Sequence, residues 1–327
     1  MMKVLKLLGV VLIALLIGFF LGPKPEFEEV DNLPSERIFQ IDQLERSIEK
    51  EEAAVQYLKE DNAARIVWAD SSQTKTAYSI VYLHGFSASQ GEGYPIHVNI
   101  SDSLNANLYL PRLPEHGIAS KNAMKNLTPG DMINEAKEAI AIAKTIGEKV
   151  IVMGCSTGGT LALYLAAADK ELAGLVLLSP NIEVAVPGAE LLTGPWGKKL
   201  GLSLLGEHRE VDSTINYEPY WSKYYHLDGV IAMQGLLDMT MKPAIFEEIS
   251  VPTYCGYFYK NDEVQDHVVS VDAIKKLEHQ LGTAKEDLEF EAFEEGDHVL
   301  GSIYKNPAWE DVQSEVLDFI KREVIIN

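Results

Sequence analysis

Ser156 lies at the centre of a G-x-S-x-G pentapeptide, residues 154–158, between a strand-like and a helix-like segment. A serine on such a turn is held in a strained backbone conformation with its hydroxyl at the edge of a sheet. The residues two before and two after it must be small, so that the strand and the helix can approach each other. Cys155 would instead be flanked at these positions by Met153 and Thr157, which are not small. The spacing therefore selects Ser156 as a nucleophile for attack on a carbonyl carbon.

A second element of the same chemistry is indicated by His84-Gly85-Phe86, which follows a strand-like run over residues 77–83. Alone, this tripeptide is typical of a turn glycine beside a capping histidine. Together with the serine turn, it fits the loop that donates one N–H to a developing oxyanion. The predicted oxyanion donors are the backbone N–H groups of Phe86 and Thr157.

An acid is expected after the serine and before a histidine, in the order Ser…Asp/Glu…His. Asp262 follows a predicted strand over residues 253–259, at the sheet edge where open α/β sheets place their sites. Asp262 is preferred because it is nearest to the end of that strand. Asp266 is the alternative acid, and Glu263 is a third.

The base is predicted to be His298, since it alone among the eight histidines lies in the loop after the last predicted strand, residues 288–293. His267 is expected to be solvated. His116 precedes the serine and is expected in a loop near the rim of the pocket.

The remainder of the chain provides the elements that must position these side chains. From residue 64 onward, strand-like and helix-like segments alternate, which predicts a mostly parallel sheet with helices on both faces. Residues 181–248 interrupt the alternation with prolines, aromatics and leucines and no clean strand, which is typical of a cap. We expect this cap to form an apolar roof over the pocket. The predicted strands are 66–69, 77–83, 108–110, 149–153, 174–178, 253–259 and 288–293, and the predicted helices are 97–106, 131–146, 160–168, 271–281 and 309–323.

Composition narrows the function classes. The 28 Lys and Arg residues against 49 Asp and Glu residues give a net charge of −21, which argues against a nucleic-acid partner. Cys155 and Cys255 lie in predicted buried strands and are expected to be free thiols. No CxxC or HExxH motif occurs, so no metal is expected.

Residues 7–21 are uncharged and mostly Leu, Ile, Val and Phe. With the apolar residues before Lys6, the stretch approaches the roughly 17–25 residues that span a bilayer. A cleaved signal peptide is the alternative, but Phe20 stands where cleavage would need a small residue. Lys3 and Lys6 precede the segment, so the positive-inside rule places the N-terminus in the cytoplasm and the folded domain on the periplasmic or extracellular side. If the segment were cleaved, the protein would be secreted.

The sequence thus divides into a membrane anchor (1–22), a tether with an amphipathic helix (23–63) and a globular domain (64–327). Residues 23–34 are rich in proline and acidic residues. Residues 35–60 carry apolar residues at helical spacing, and the pattern does not decide whether this helix packs on the domain or acts as a stalk.

The motifs together resemble the α/β-hydrolase superfamily, and within it the group of carboxylesterases, monoacylglycerol lipases and serine aminopeptidases. The resemblance implies the α/β-hydrolase fold with a cap insertion, here preceded by a transmembrane helix. It implies Ser156 as nucleophile, Asp262 as acid and His298 as base, with Phe86 and Thr157 as oxyanion donors and no metal or organic cofactor. The segments that carry it are HGFSAS (84–89), PRLPEHG (111–117), GCSTGG (154–159), LVLLSPN (175–181), YKNDEVQD (259–266) and EEGDHVL (294–300).

The implied activity is hydrolysis of carboxylic esters, such as monoacylglycerol-like substrates, through an acyl-enzyme. The first alternative is a serine peptidase or amidase, in which an acidic cluster in the cap would bind a free amine. The second is a catalytically silent, membrane-tethered binding module. The acidic residues available for amine binding are Glu183, Glu190, Glu207, Glu210 and Asp212.

Overall fold

The computed structural model describes residue 6, residues 17–211 and residues 219–325. The strands are β1 (Arg65–Val67), β2 (Thr76–Leu83), β3 (Asn107–Leu110), β4 (Gly147–Cys155), β5 (Gly174–Leu178), β6 (His208–Glu210), β7 (Tyr224–His226), β8 (Thr253–Asn261), β9 (Val264–Gln265) and β10 (Leu288–Phe293). The helices are α1 (Ile41–Ala53), α2 (Ile96–Leu104), α3 (Pro129–Ile146), α4 (Thr157–Ala166), α5 (Gly197–Leu205), α6 (Leu227–Thr240), α7 (Pro243–Phe246), α8 (Val271–Leu277) and α9 (Trp309–Phe319). Short 3₁₀ turns span Gln90–Gly93, Ala189–Leu192 and Lys285–Asp287, and a π-helical turn, Ile320–Ile325, follows α9.

The main sheet has the strand order β1-β3-β2-β4-β5-β8-β10, with β9 paired to β8. Its central strands run parallel, whereas β1 is antiparallel to β3 and β9 is antiparallel to β8. β5 is buried along its whole length, as expected for a parallel strand covered on both faces. The mostly parallel sheet predicted from the sequence is confirmed.

Two apolar clusters lie on opposite faces of this sheet. One contains Ile133 and Ala136 of α3 and Leu161 of α4, and the other contains Ile100 of α2 and Val316 of α9. This is the three-layer arrangement that buries both faces of a parallel sheet. It fixes the carboxyl ends of the strands, where the predicted site residues lie.

The helix predicted within residues 35–60 packs against the body of the fold. Leu44 and Ile48 of α1 are buried in the larger apolar cluster. Beside them, the Arg112 guanidinium donates two hydrogen bonds, of 2.8 and 2.9 Å, to the Glu52 carboxylate. Both side chains are largely buried, and this bidentate pair adds directional hydrogen bonds to the apolar contacts. The question that the sequence left open is therefore answered in favour of packing.

The proline- and acid-rich residues 23–34 also touch the body of the fold. The Tyr164 hydroxyl donates to the Val30 carbonyl oxygen at 2.7 Å, and the Asn32 amide donates to the Tyr164 carbonyl oxygen at 3.0 Å. The segment predicted as a tether thus lies along α4 over this stretch.

Most of the predicted anchor, residues 1–5 and 7–16, lies outside the described residues. Ile17 to Phe20 are helical, and the Trp196 indole N–H donates to the Phe19 carbonyl oxygen at 3.1 Å. In the part of the chain that the structure describes, no helix has the length and apolar character needed to cross a membrane.

Candidate active site

Ser156 occupies the sharp turn between β4 and α4. Its φ of 53° and ψ of −118° lie in a region that non-glycine residues rarely adopt. A Cβ atom on Gly154 would lie 2.6 Å from the Gly158 carbonyl carbon, and a Cβ atom on Gly158 would overlap the Leu83 carbonyl oxygen. Both glycines are therefore required, because any side chain would push the strands and the helix apart. This is the geometry that the pentapeptide predicted.

The loop after β2 holds the peptide between Gly85 and Phe86 in one orientation. Nδ1 of His84 lies 2.9 Å from the Gly85 carbonyl oxygen, and Nε2 of His84 accepts the Leu113 N–H at 3.0 Å. These contacts require the proton to be on Nδ1, so His84 is neutral. Burial lowers the pKa of His84 well below its usual value, which favours the same form. Because the peptide is trans, the Phe86 N–H points away from the fixed Gly85 carbonyl.

The predicted oxyanion donors are free to bind a ligand. Over residues 17–211 and 219–325, the backbone N–H groups of Phe86 and Thr157 have no hydrogen-bond acceptor. Both residues line the same cavity as Ser156. Thr157 also begins α4, whose N-terminal end carries a partial positive charge. The pair is thus placed to stabilise negative charge in front of Ser156.

His298 forms its carboxylate contact with Asp266. Nδ1 of His298 lies 2.7 Å from Oδ2 of Asp266, whose side chain is completely buried. Oδ1 of Asp266 accepts the backbone N–H groups of Val268 and Val269 at 2.8 and 3.1 Å. Burial alone would raise the pKa of Asp266, but His298 and these two N–H groups outweigh it and hold the pKa below its usual value. Asp266 is therefore ionised and can fix the proton of His298 on Nδ1.

The same pair sets the protonation of His298. Burial lowers its pKa, but the charge and hydrogen bond of Asp266, with smaller contributions from Glu92 and Asp297, raise the pKa above its usual value. His298 is thus a stronger base than a free histidine.

Asp262, the acid predicted from the sequence, does not contact His298 in the structure, where Asp266 makes that contact instead. β8 continues to Asn261, two residues beyond the predicted end, so Asp262 lies at the exposed tip of the β8–β9 hairpin. There its carboxylate accepts the Tyr259 hydroxyl at 2.9 Å. The chain then folds back, and the Asp266 N–H donates to the Phe258 carbonyl oxygen. The alternative acid Asp266, rather than Asp262, is therefore returned to the sheet edge.

The side chains of Glu263, His267 and His116 form no hydrogen bond with the Asp266–His298 pair. Glu263 and His267 are exposed. His116, expected near the rim of the pocket, is instead completely buried, with its ring against His84 and Phe86. Burial lowers the pKa of His116 to about 4, so it is a neutral part of the wall beneath the oxyanion loop.

The cavity in front of Ser156 has a volume of about 320 Å³. Ser156 and His298 both line it, although the serine hydroxyl makes no hydrogen bond to the histidine among the described residues. Such contacts are often long before a substrate binds. The cap contributes Trp221, Tyr225 and Met233 to the roof. Among the described residues, every cap residue that lines the cavity except Asn181 is thus apolar or aromatic.

The leucines of the cap do not contribute to that roof, contrary to expectation. Several of them lie on the outer surface, since the only buried residues of α5 are Gly197 and Gly201. Tyr217 lies outside the described residues. The exposed leucines are Leu191, Leu200, Leu202, Leu204 and Leu205.

No acidic cluster from the cap faces Ser156 in the described part of the chain. Glu183, Glu190, Glu207 and Glu210 are exposed and none of them lines the cavity, and Asp212 lies outside the described residues. The amine-binding arrangement expected of the peptidase alternative is thus not found in the cap.

The two cysteines follow the sequence expectation for buried thiols. Cys155 and Cys255 are free and buried, and burial raises the pKa of both thiols. Within residues 17–211 and 219–325, no cluster of three or more His, Cys, Asp or Glu residues suits a metal ion.

One cavity residue was missed by sequence reasoning. Glu92, in the 3₁₀ turn after the oxyanion loop, is only 2% exposed, yet it lines the cavity beside Ser156. In the sequence it stands in QGEG, where nothing distinguishes it from a solvated loop glutamate.

Comparison with known proteins places this geometry in a family context. A thermostable monoacylglycerol lipase of Bacillus sp. (strain H-257) is 26% identical over 115 residues, which are 35% of this chain and 45% of that protein. The match therefore spans less than half the length of this relative.

Solved structures share the fold at low sequence identity. One from work on the metagenome-derived lipolytic enzymes LipS and LipT has a TM-score of 0.65 at 15% identity, over 81% of this chain and 99% of that one. The Paleococcus ferrophilus monoacylglycerol lipase has a TM-score of 0.59 at 14% identity, over 79% and 97%. A soluble variant of the Saccharomyces cerevisiae monoglyceride lipase has a TM-score of 0.55 at 12% identity, over 80% and 92%.

The family model described as the Alpha/beta hydrolase family matches residues 80–309, which include the serine turn, the oxyanion loop and the Asp266–His298 pair. Because this match covers well over half of the chain, the protein belongs to the α/β-hydrolase family.

Proposed function

We propose that the protein hydrolyses carboxylic esters through an acyl-enzyme on Ser156, with His298 as base and Asp266 as the acid that orients it. The observation that carries the proposal is the hydrogen bond between Nδ1 of His298 and buried Asp266, with His298 and Ser156 lining the same cavity. With the proton fixed on Nδ1, Nε2 of His298 has a free lone pair. Nε2 is then the atom that can accept the serine proton.

The reaction follows from these positions. As Oγ of Ser156 attacks the ester carbonyl carbon, its proton passes to Nε2 of His298, and the carbonyl oxygen becomes an oxyanion held by the N–H groups of Phe86 and Thr157. Collapse of this intermediate breaks the ester C–O bond, and the departing alkoxide takes the proton from His298. Water then attacks the acyl-enzyme with His298 again as base, which releases the carboxylic acid and restores Ser156. No step requires a metal or an organic cofactor.

The substrate class is argued from the roof of the cavity. Trp221, Tyr225 and Met233 suit an acyl chain better than a charged peptide. The volume of about 320 Å³ fits a short-to-medium chain. Relatives of similar fold are described as monoacylglycerol lipases, and we extend that substrate class, acyl esters of small alcohols, to this protein.

We further propose that residues 1–22 anchor the protein in a membrane, with the N-terminus in the cytoplasm and the catalytic domain, residues 64–327, on the other side. The support is the apolar sequence of residues 7–21 and the lysines before it. The described end of this segment contacts Trp196 at the start of α5, whose leucines are exposed. Such an apolar surface beside the anchor suits contact with lipid. Secretion after cleavage remains the alternative arrangement.

The proposal is tested with the full chain in detergent and the variant Ser156→Ala, assayed on acyl esters of increasing length and on amino-acid amides. We expect wild-type turnover of esters with an optimum at short-to-medium chains, and loss of turnover on all esters in Ser156→Ala with the fold retained. Faster wild-type turnover of amides than of every ester would favour the peptidase alternative. No turnover of either class, together with no reaction with a covalent serine probe, would favour the silent binding module.

A further inference from the structure

Glu92 is a carboxylate in a position where a carboxylate is costly. It lies in the 3₁₀ turn Gln90–Gly93 and is almost completely buried. Among the described residues, no Lys or Arg side chain forms an ion pair with it. Oε1 of Glu92 instead accepts the Gly85 N–H and, at 3.4 Å, the Tyr82 hydroxyl. A buried charge without an ion-pair partner is expensive to maintain, so its retention calls for a role.

The contact with Gly85 acts on the oxyanion loop. Glycine has the most conformational freedom of any residue type, but at Gly85 the peptide groups on both sides are held by hydrogen bonds. Glu92 binds the N–H on one side of Gly85, and His84 binds the carbonyl oxygen on the other. The direction of the next amide, the N–H of Phe86, is set by these two contacts. Removing the Glu92 contact would leave that amide held from one side only.

Glu92 is also close to the nucleophile. A Cβ atom built on Gly85 would lie 3.2 Å from Cβ of Ser156 and 3.3 Å from Oε2 of Glu92. The serine and the carboxylate thus pack on the same side of Gly85.

The charged surroundings couple Glu92 to His298. Tyr82 of β2, Cys155 of β4 and His298 interact electrostatically with Glu92. Burial raises the pKa of Glu92 to about 7, against the Gly85 hydrogen bond and, to a smaller extent, the charge of His298, which both lower it. Reciprocally, Glu92 raises the pKa of His298.

Two further carboxylates, Asp266 and Asp297, face His298. Lys305 lines the same cavity, and the charge of Asp297 acts on it. Of the carboxylates that act on His298, Glu92 is the one that also binds the oxyanion loop.

We propose that Glu92 is a positioning residue of this site: it orients the Phe86 amide by binding the Gly85 N–H, and its carboxylate joins Asp266 in stabilising protonated His298. The inference rests on the proposed ester hydrolysis. It adds to the triad a second carboxylate that links the oxyanion loop to the base.

The test uses two substitutions in the full chain. Glu92→Gln keeps an oxygen that accepts the Gly85 N–H but removes the charge, whereas Glu92→Met removes both in a side chain of similar size. Glu294→Gln is the matched control, because Glu294 is an exposed carboxylate in the loop that carries His298. The readouts are kcat, KM and the pH profile of kcat/KM on one ester, with a thermal unfolding midpoint for each variant.

In Glu92→Gln we expect kcat within about 10-fold of wild type, and the acid-side midpoint of the kcat/KM profile moved to lower pH by about half a unit or more. In Glu92→Met we expect kcat to fall by about 100-fold with KM nearly unchanged, the order expected when an oxyanion donor is lost. Glu294→Gln should match wild type in all readouts.

An unchanged midpoint in Glu92→Gln, or a wild-type kcat in folded Glu92→Met, would overturn the inference and leave Glu92 a structural group. If Glu92→Met does not fold, the midpoint of Glu92→Gln decides the question alone. A failure of the proposed function itself is recognised in the wild-type protein. If Ser156 is not a nucleophile, the wild-type protein will not react with a covalent serine probe, whatever the Glu92 variants do.

Discussion

The floor of the Ser156 cavity is formed by strand ends and their turns, whereas its roof is formed by the cap. The two regions differ in how strongly the surrounding atoms restrict the side chain at each position. In the floor, Gly154 and Gly158 admit no side chain, and the Asp266 carboxylate is held by three hydrogen bonds. In the cap, by contrast, leucines such as Leu204 are exposed to solvent. We infer that the floor determines the reaction and the cap determines which ester enters.

The largest expected effect concerns the floor. Asp266→Asn should reduce kcat/KM on an ester by about 10,000-fold, the order seen when the residue that fixes the tautomer of a catalytic histidine is altered. Asp262→Asn, at the exposed hairpin tip, should stay within about threefold of wild type, since such surface changes act weakly. Steady-state kinetics of both variants check this, with circular dichroism to confirm folding. A large loss at Asp262 with little loss at Asp266 would contradict the geometry.

An intermediate effect is expected in the roof. Met233→Ala enlarges the cavity and should change the ratio of kcat/KM between a short and a longer acyl ester by about 10-fold or more, as methylene-sized changes in apolar pockets do. Leu204→Ala, on the outer surface of the cap, should leave the ratio unchanged. The measurement is a series of esters that differ only in acyl length. Equal ratios in the two variants would mean that α6 does not select the substrate.

A smaller effect is expected from pH. His298 must be neutral to act as base, and its pKa is raised above the usual value of about 6.5. The value of kcat/KM should therefore fall as the pH is lowered, with a midpoint above about pH 6.5. Glu92, with a pKa of about 7, titrates in the same range, so the limb reports the coupled pair. In Asp266→Asn the residual activity should have a lower midpoint, because burial, which lowers the pKa of His298, is then opposed only by the smaller contributions of Glu92 and Asp297. A profile flat down to pH 4 would exclude a histidine base.

The smallest effect on catalysis is expected at the N-terminus. Protein that lacks residues 1–22 should remain folded and keep kcat/KM on a soluble short-chain ester within about twofold, because no described residue of this segment lines the cavity. Binding to lipid vesicles should fall strongly in the truncated protein. Co-sedimentation of both forms measures this, and equal vesicle binding would argue against residues 1–22 as the anchor.

The sequence predicted the floor better than the roof because the floor depends on local rules. The serine turn and the oxyanion loop each lie within a few residues and can be read from spacing. The choice between Asp262 and Asp266 depends instead on where β8 ends and on the β9 return, a difference of two residues that periodicity does not resolve. Glu92 escaped detection because its role comes from a contact with Gly85 and from burial, neither of which leaves a pattern.

The outer surface of the cap was misjudged for a related reason. The sequence predicts an apolar roof from a leucine-rich cap, because leucines are usually buried. α5, however, packs through Gly197 and Gly201, so its leucines remain outside. In such a helix the small residues face the protein and the large apolar residues face solvent. The periodicity of the sequence does not distinguish this arrangement from the usual one, in which the large apolar residues are buried.

The central claim, that Ser156 is the nucleophile, is tested most directly by locating a covalent adduct. The full-length protein is treated with a fluorophosphonate, digested, and analysed by mass spectrometry, beside Cys155→Ala and Ser156→Ala. The account predicts one modified residue, Ser156, in wild type and in Cys155→Ala, and no modification in Ser156→Ala. An adduct on Cys155 or on another residue, or labelling that persists in Ser156→Ala, would contradict it.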